Sequence, residues 1–102
     1  MSSSIISGLE NKRVLVTGAT GGIGTRLVRM FAEKGAVVGI HYHQNREQAE
    51  LLTREIESNG GLSACFQVDL LASTGADLVD AFVERFGGID VLVNNAGAIC
   101  GF

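Results

Sequence analysis

The chain has 102 residues, 46% of them hydrophobic and 19% charged, with a formal net charge of -3. That length suits one small domain, and the composition is globular rather than disordered. An acidic balance, with a sequence pI near 5.2, speaks against nucleic acid or an anionic membrane as partner, and no apolar run approaches the ~20 residues that span a bilayer.

The opening residues, MSSSIISGLENKR, hold neither a basic segment nor a long apolar stretch, so no signal peptide is read. KRVLVT (12–17) is a short continuous apolar run that predicts a strand buried on both faces. It runs directly into VTGATGGIG (16–24), where Gly18, Gly21, Gly22 and Gly24 crowd together. Glycine in regular structure costs roughly 0.5–1 kcal/mol relative to alanine, so the cluster implies that something must approach this backbone closely. Ile23, Leu27, Met30 and Phe31 then recur at i, i+4, i+7 and i+8, predicting a helix that buries those four and stops at Gly35. AVVGIHY (36–42) predicts a second strand. Asn45 opens a second helix, paired with Gln48 three residues on, with Glu47 and Glu50 in the first turn and Ala49, Leu52 and Ile56 inward. Gly60 and Gly61 end it, and LSACFQV (62–68) predicts a third strand. Thr74 with Asp77 caps a third helix that turns Leu78, Val79, Phe82, Val83 and Phe86 inward and stops at Gly87–Gly88. IDVLVN (89–94) is the fourth strand.

Strand–helix units of this length imply right-handed crossovers and hence an α/β fold with a doubly wound parallel sheet. Ligands of such sheets bind beyond the carboxyl ends of the strands. There the chain places its glycines, then HQNR, DL and NAGAICG after the second, third and fourth strands. The spacing Gly18-x-x-x-Gly22-x-Gly24 departs from G-x-G-x-x-G but keeps its logic, bare amides facing a diphosphate at the positive end of a helix. The plainer alternative is a turn that only permits tight strand–helix packing. His41 and His43 lie two apart on one side of a strand, which is open to a metal pair, but no third ligand cluster accompanies them. His43 beside a cofactor phosphate and His43 as an ordinary strand-end residue are the other readings. Cys65 reads as a small core residue; with Cys100 it forms no C-x-x-C pair, which suits a reducing cytoplasm.

TGATGGIG (17–24), VDL (68–70) and NNAG (94–97) together resemble the cofactor half of the short-chain dehydrogenase/reductase family, over residues 9 to 102. HYHQNREQAELL is similar to its 3-oxoacyl-carrier-protein-reductase-like and pteridine-reductase-like branches. The resemblance implies a Rossmann-type sheet of strand order 3-2-1-4, here about the first four strands and three helices, and a nicotinamide dinucleotide. It assigns Gly18, Thr20, Gly21, Gly22, Ile23 and Gly24 to the diphosphate loop. Asp69 would accept from the adenine amino group with the Leu70 backbone beside it; Asn95, Ala96 and Gly97 would line the nicotinamide-side ribose, and Asn94 would tie the fourth strand to its neighbours. An NAD site places an acid about 20 residues past the first glycine. GIHYHQNR has none there, and His43 and Arg46 are available to a 2′-phosphate, so NADP is expected over NAD.

The family's chemistry implies a tyrosine acid with a lysine four residues on. Tyr42 is the only tyrosine and is followed at that spacing by Arg46, and the sequence ends at Phe102. The expectation is therefore the cofactor-binding half of an NADP-dependent cytoplasmic reductase acting on a ketone or 3-oxoacyl carbonyl, a homo-oligomer when full length. The 102-residue chain by itself is expected to be inactive, with its fourth strand an apolar edge prone to self-association. A non-catalytic nucleotide-binding module or sensor, and a flavin- or sugar-nucleotide-binding relative, are the alternatives.

Overall fold

Short aliphatic runs bounded by glycine or polar residues become the strands: β1 (Arg13–Val16), β2 (Val37–Tyr42), β3 (Ser63–Gln67) and β4 (Val91–Val93). Between them lie α1 (Gly22–Glu33), α2 (Arg46–Ser58) and α3 (Gly75–Phe86). The structure, a computed structural model, describes residues 8–71 and 75–95. The expected cap at Thr74 and the expected roles of Ala96, Gly97 and Cys100 lie outside the described residues. All strand pairings are parallel, in the order β3-β2-β1-β4. This is the Rossmann-type arrangement, and it brings every strand's carboxyl end to one edge.

Successive strand residues face opposite sides of the sheet, so each strand feeds two cores. On one side Val14, Val16, Val38 and Ile40 pack with Val28 of α1 and with Ala49, Leu52 and Ile56 of α2. On the other, Leu15 meets Leu78 and Phe82 of α3, with Phe66 and Phe86 around them. The Phe82 and Phe86 rings stand 5.0 Å apart between centroids, tilted rather than stacked. The Asn45 side chain caps α2 by accepting from the Gln48 amide at 3.3 Å, as its spacing predicts. All three helices stop at a glycine of positive φ, Gly35, Gly60 and Gly87.

α1 corrects one expectation. Ile23 is 69% and Met30 38% exposed, while Gly24, Thr25 and Val28 are buried, with Leu27 and Phe31 partly so. The phase is set by backbone contact rather than by side-chain periodicity. A Cβ on Gly24 would stand 2.3 Å from the Gly18 carbonyl oxygen and 2.8 Å from the Ala19 Cα. The first turn of α1 therefore lies directly against the β1–α1 turn, and Thr25 adds a hydrogen bond from its hydroxyl to the Ala19 carbonyl at 3.1 Å.

β4 is shorter than expected because Asp90 serves as a polar tie instead of a strand residue. Its carboxylate accepts the Arg13 backbone amide at 2.8 Å and the Arg13 Nε at 3.0 Å. Those hydrogen bonds to Arg13 hold the Asp90 carboxyl down at about 2. Leu92 is half exposed, and among the described residues no strand pairs with the outer edge of β4.

Two outcomes follow from these contacts. Gly24→Ala is expected to destabilise the chain by about 1–3 kcal/mol through overpacking. Gly21→Ala, whose added Cβ meets nothing nearer than 3.8 Å, is expected to leave denaturant unfolding nearly unchanged. For Asp90, a folded pKa below the unfolded one means that its stabilisation is present above about pH 4 and is lost as pH falls toward 2. Thermal melts of the parent chain and of Asp90→Asn are expected to differ at pH 5 and to converge as pH falls through that window.

Candidate functional site

The open edge of the sheet is organised around the turn that leaves β1. Thr17 donates its amide to the Val93 carbonyl at 3.0 Å, fixing the turn to β4. The Gly18 amide is donated to His41 Nδ1 at 2.9 Å and the Ala19 amide to the His41 carbonyl at 2.9 Å. Asn95 donates from Nδ2 to the Gly18 carbonyl at 3.1 Å, and the Thr17 hydroxyl reaches Asn94 Oδ1 at 3.2 Å. The turn is thus bound from both neighbouring strands.

Beyond it the chain rises into α1, whose N-cap is Gly21, with no side-chain cap and no acid in the first turn. The first bond of the helix runs from the Thr25 amide to the Gly21 carbonyl at 2.8 Å. Amides of Gly22 and Ile23 precede that bond, so they have no intrahelical acceptor. They sit at the positive end of the helix dipole.

This terminus opens on a cleft of about 730 Å³. Gly18, Thr20, Gly21, Gly22 and Ile23 form one wall and the end of β2, from His41 to Asn45, forms the floor. Val68, Asp69, Leu70 and Leu71 form the opposite wall, with Asn95 at one end. The volume lies within the range of about 300–1,000 Å³ common to small-molecule and cofactor sites.

Asp69 accepts the Leu71 amide on Oδ1 at 2.9 Å, closing a tight turn at the wall. Its Oδ2 lies 3.4 Å from His43 Nε2, both side chains being partly exposed. Of the predicted site residues, the cleft thus gathers Gly18, Thr20, Gly21, Gly22, Ile23, His43, Asp69, Leu70 and Asn95. Two others stand apart. Gly24 is buried under the turn, where it provides the close approach rather than a cleft surface. Arg46 does not line the cleft: its Nε donates to the Tyr42 hydroxyl at 3.3 Å and lies 3.8 Å from Glu50 Oε2. Ala96 and Gly97 fall outside the described residues.

The spacing of the sequence does not disclose the part played by His41. The side chain is 3% exposed, and besides accepting from Gly18 it meets the Val68 carbonyl with Nε2 at 2.8 Å. Only the neutral tautomer carrying its proton on Nε2 satisfies both contacts. Burial pushes its pKa down, opposed by the Val68 bond and assisted by the nearby His43. With both ring nitrogens engaged, His41 has none to share with His43 for a metal. A histidine between two apolar strands, at the level where both end, was the available signal, since a buried polar ring needs partners on each side.

The fold recurs in known proteins. A family model described as short chain dehydrogenase matches residues 12–101. The 3-oxoacyl-[acyl-carrier-protein] reductase FabG of Staphylococcus epidermidis is 38% identical over 88 residues, covering 85% of this chain and 36% of that protein. A short chain dehydrogenase from Burkholderia cenocepacia in complex with NADP superposes with a TM-score of 0.78 at 40% identity, over 84% of this chain and 36% of that one. An NADH-dependent reductase, A1-R′, responsible for alginate metabolism, does so with a TM-score of 0.74 at 44% identity, over 84% and 35%. The chain spans little more than a third of the length of these relatives. With the parallel 3-2-1-4 sheet, the uncapped helix behind a glycine turn and a family match over nearly its whole length, the chain belongs to the short-chain dehydrogenase family.

Proposed function

We propose that the cleft binds a nicotinamide dinucleotide and that the whole protein is an oxidoreductase. The observation that carries this reading is the uncapped N-terminus of α1, opening on a cleft whose far wall holds a carboxylate. A diphosphate on the Gly22 and Ile23 amides has its charge met by peptide dipoles that no side chain caps among the described residues. The adenine lies against the Asp69–Leu71 wall, where Asp69 Oδ2, which also lies 3.4 Å from His43 Nε2, accepts an amino proton while Oδ1 holds its turn. Asn95, held on the Gly18 carbonyl, marks the end of the cleft toward the nicotinamide ribose.

When bound, the nicotinamide supplies or accepts a hydride. This chain's residues bind and orient; among the described residues the only tyrosine, Tyr42, is 4% exposed and its hydroxyl accepts from Arg46. It is not placed to protonate a carbonyl. We therefore assign carbonyl reduction, with a ketone or 3-oxoacyl compound as the substrate class, to the whole protein, and no turnover to residues 1–102 alone. General acid catalysis contributes ~10²–10⁴-fold, and its absence leaves hydride transfer without a proton for the product oxygen.

NADP is favoured over NAD, because no acid stands at the end of β2 and His43 faces the cleft. Arg46 is engaged with Tyr42, so the preference rests on His43 and is modest. Parallel titrations of NADPH and NADH are expected to give tighter NADPH binding; tighter NADH binding would contradict the assignment. At Asp69, alanine removes both the adenine acceptor and the turn, while Asp69→Asn keeps an oxygen for the Leu71 amide. Both variants are expected to weaken dinucleotide binding and to leave nicotinamide mononucleotide binding unchanged. A hydrogen bond of this kind is worth about 0.5–1.5 kcal/mol net, so a loss of up to about tenfold is the expected scale. Equal losses for both ligands would make Asp69 a fold residue.

A further inference from the structure

His41 is the only side chain of the chain that binds the glycine turn on one side and the β3 end on the other among the described hydrogen bonds. Its carbonyl takes the Ala19 amide as well, so one residue of β2 holds two consecutive amides of the turn. The turn and the β3 end are the two walls across which the proposed dinucleotide lies. We infer that His41 is a positioning residue for dinucleotide binding: its neutral imidazole, taking the Gly18 amide on Nδ1 and donating Nε2–H to the Val68 carbonyl, sets the separation of those walls. The inference rests on the dinucleotide reading of the cleft.

The chemistry makes this contact sensitive to acid. Protonation at Nδ1 sets an N–H against the Gly18 N–H, two donors face to face, and the contact cannot survive without moving the turn. The Val68 bond is kept, since Nε2 donates in both forms. Ionisable groups near the ring are few. On β2 itself the neighbours are Tyr42 and His43; on the β3 side it is Asp69, next to Val68 and 3.4 Å from His43. Thr17, Gly18 and Ala19 of the β1 side, and Asn94 and Asn95 after β4, carry no ionisable group. Desolvation already disfavours the protonated form of the buried ring, and the nearby His43 acts in the same direction.

Binding that needs the neutral ring must, by reciprocity, make the ring harder to protonate. Affinity is full above the pKa of His41 in the free chain and falls as acid protonates it. Losing one hydrogen bond of the turn is expected to cost roughly threefold to tenfold in affinity.

The test is an imidazole ¹⁵N titration of the chain, free and saturated with NAD, a ligand without a 2′-phosphate to titrate in the same range. In the free chain the His41 shifts are expected to report the Nε2–H tautomer, and NAD saturation is expected to move its titration to lower pH. His41→Asn places an uncharged Oδ1 where Nδ1 accepts from Gly18. Because Asn is too short to keep the Val68 bond as well, it is expected to bind NAD roughly threefold to tenfold more weakly than the parent at pH 8 and to lose the acid-dependent fall, whereas His43→Gln is expected to retain that fall. A His41 titration unmoved by saturating NAD, or an acid-dependent fall that persists in His41→Asn, overturns the inference alone. Failure of the parent chain to bind NAD or NADP at any pH overturns the dinucleotide reading and the inference with it.

Discussion

A backbone-to-backbone contact organises this chain. Because Gly24 has no side chain, the first turn of α1 rests on the carbonyl of Gly18 and the Cα of Ala19, closer than any Cβ would allow. That contact aims the helix terminus over the end of β1, leaves its amides open to the cleft, and sets which face of α1 turns to the sheet. Thr25 and Val28 are buried in consequence, and the longer Ile23 and Met30 are left outside. A helix packed only by its side chains would have turned its larger aliphatic residues inward.

The parallel sheet supplies the rest of the geometry. β1 is bonded on both sides, so Val14, Leu15 and Val16 are fully buried and feed cores on both faces. Every strand ends at the same edge, and residues just past those ends are bound to the last residues of neighbouring strands. Thr17 reaches Val93, Ala19 reaches the His41 carbonyl, and Val68 reaches the Tyr42 carbonyl at 3.1 Å. The cleft is therefore built of backbone held by the sheet, which keeps its walls in place before any ligand enters.

Much of this was legible in the residues. Apolar runs between glycines marked all four strands, and the Asn45–Gln48 pair marked the start of α2 because a cap is a local interaction between neighbours in sequence. The strand-end positions of the glycine turn and Asp69 pointed to one edge for the same reason that any parallel sheet does. What stayed hidden depended on contacts between distant segments. The phase of α1 is decided by a turn six residues earlier, at Gly18, and no periodicity within the helix carries that information. Arg46 looked available for a phosphate because its distance from Tyr42 in space is not a sequence quantity. The spacing of His41 and His43 left a metal pair open without a third ligand, and nothing in it tells that the ends of β1 and β3 meet on the two nitrogens of His41.

The central claim is that the open terminus of α1 and the Asp69 wall receive one extended dinucleotide between them. Amide ¹H–¹⁵N spectra of the chain, collected as NADP is added, test it most directly. The account predicts saturable shifts confined to residues 18–23, 41–45, 68–71 and the resonance of Asn95. Shifts centred instead on the separate small cleft between α1 and α2, at Arg29 and Glu55, or no saturable shift at all, would contradict it.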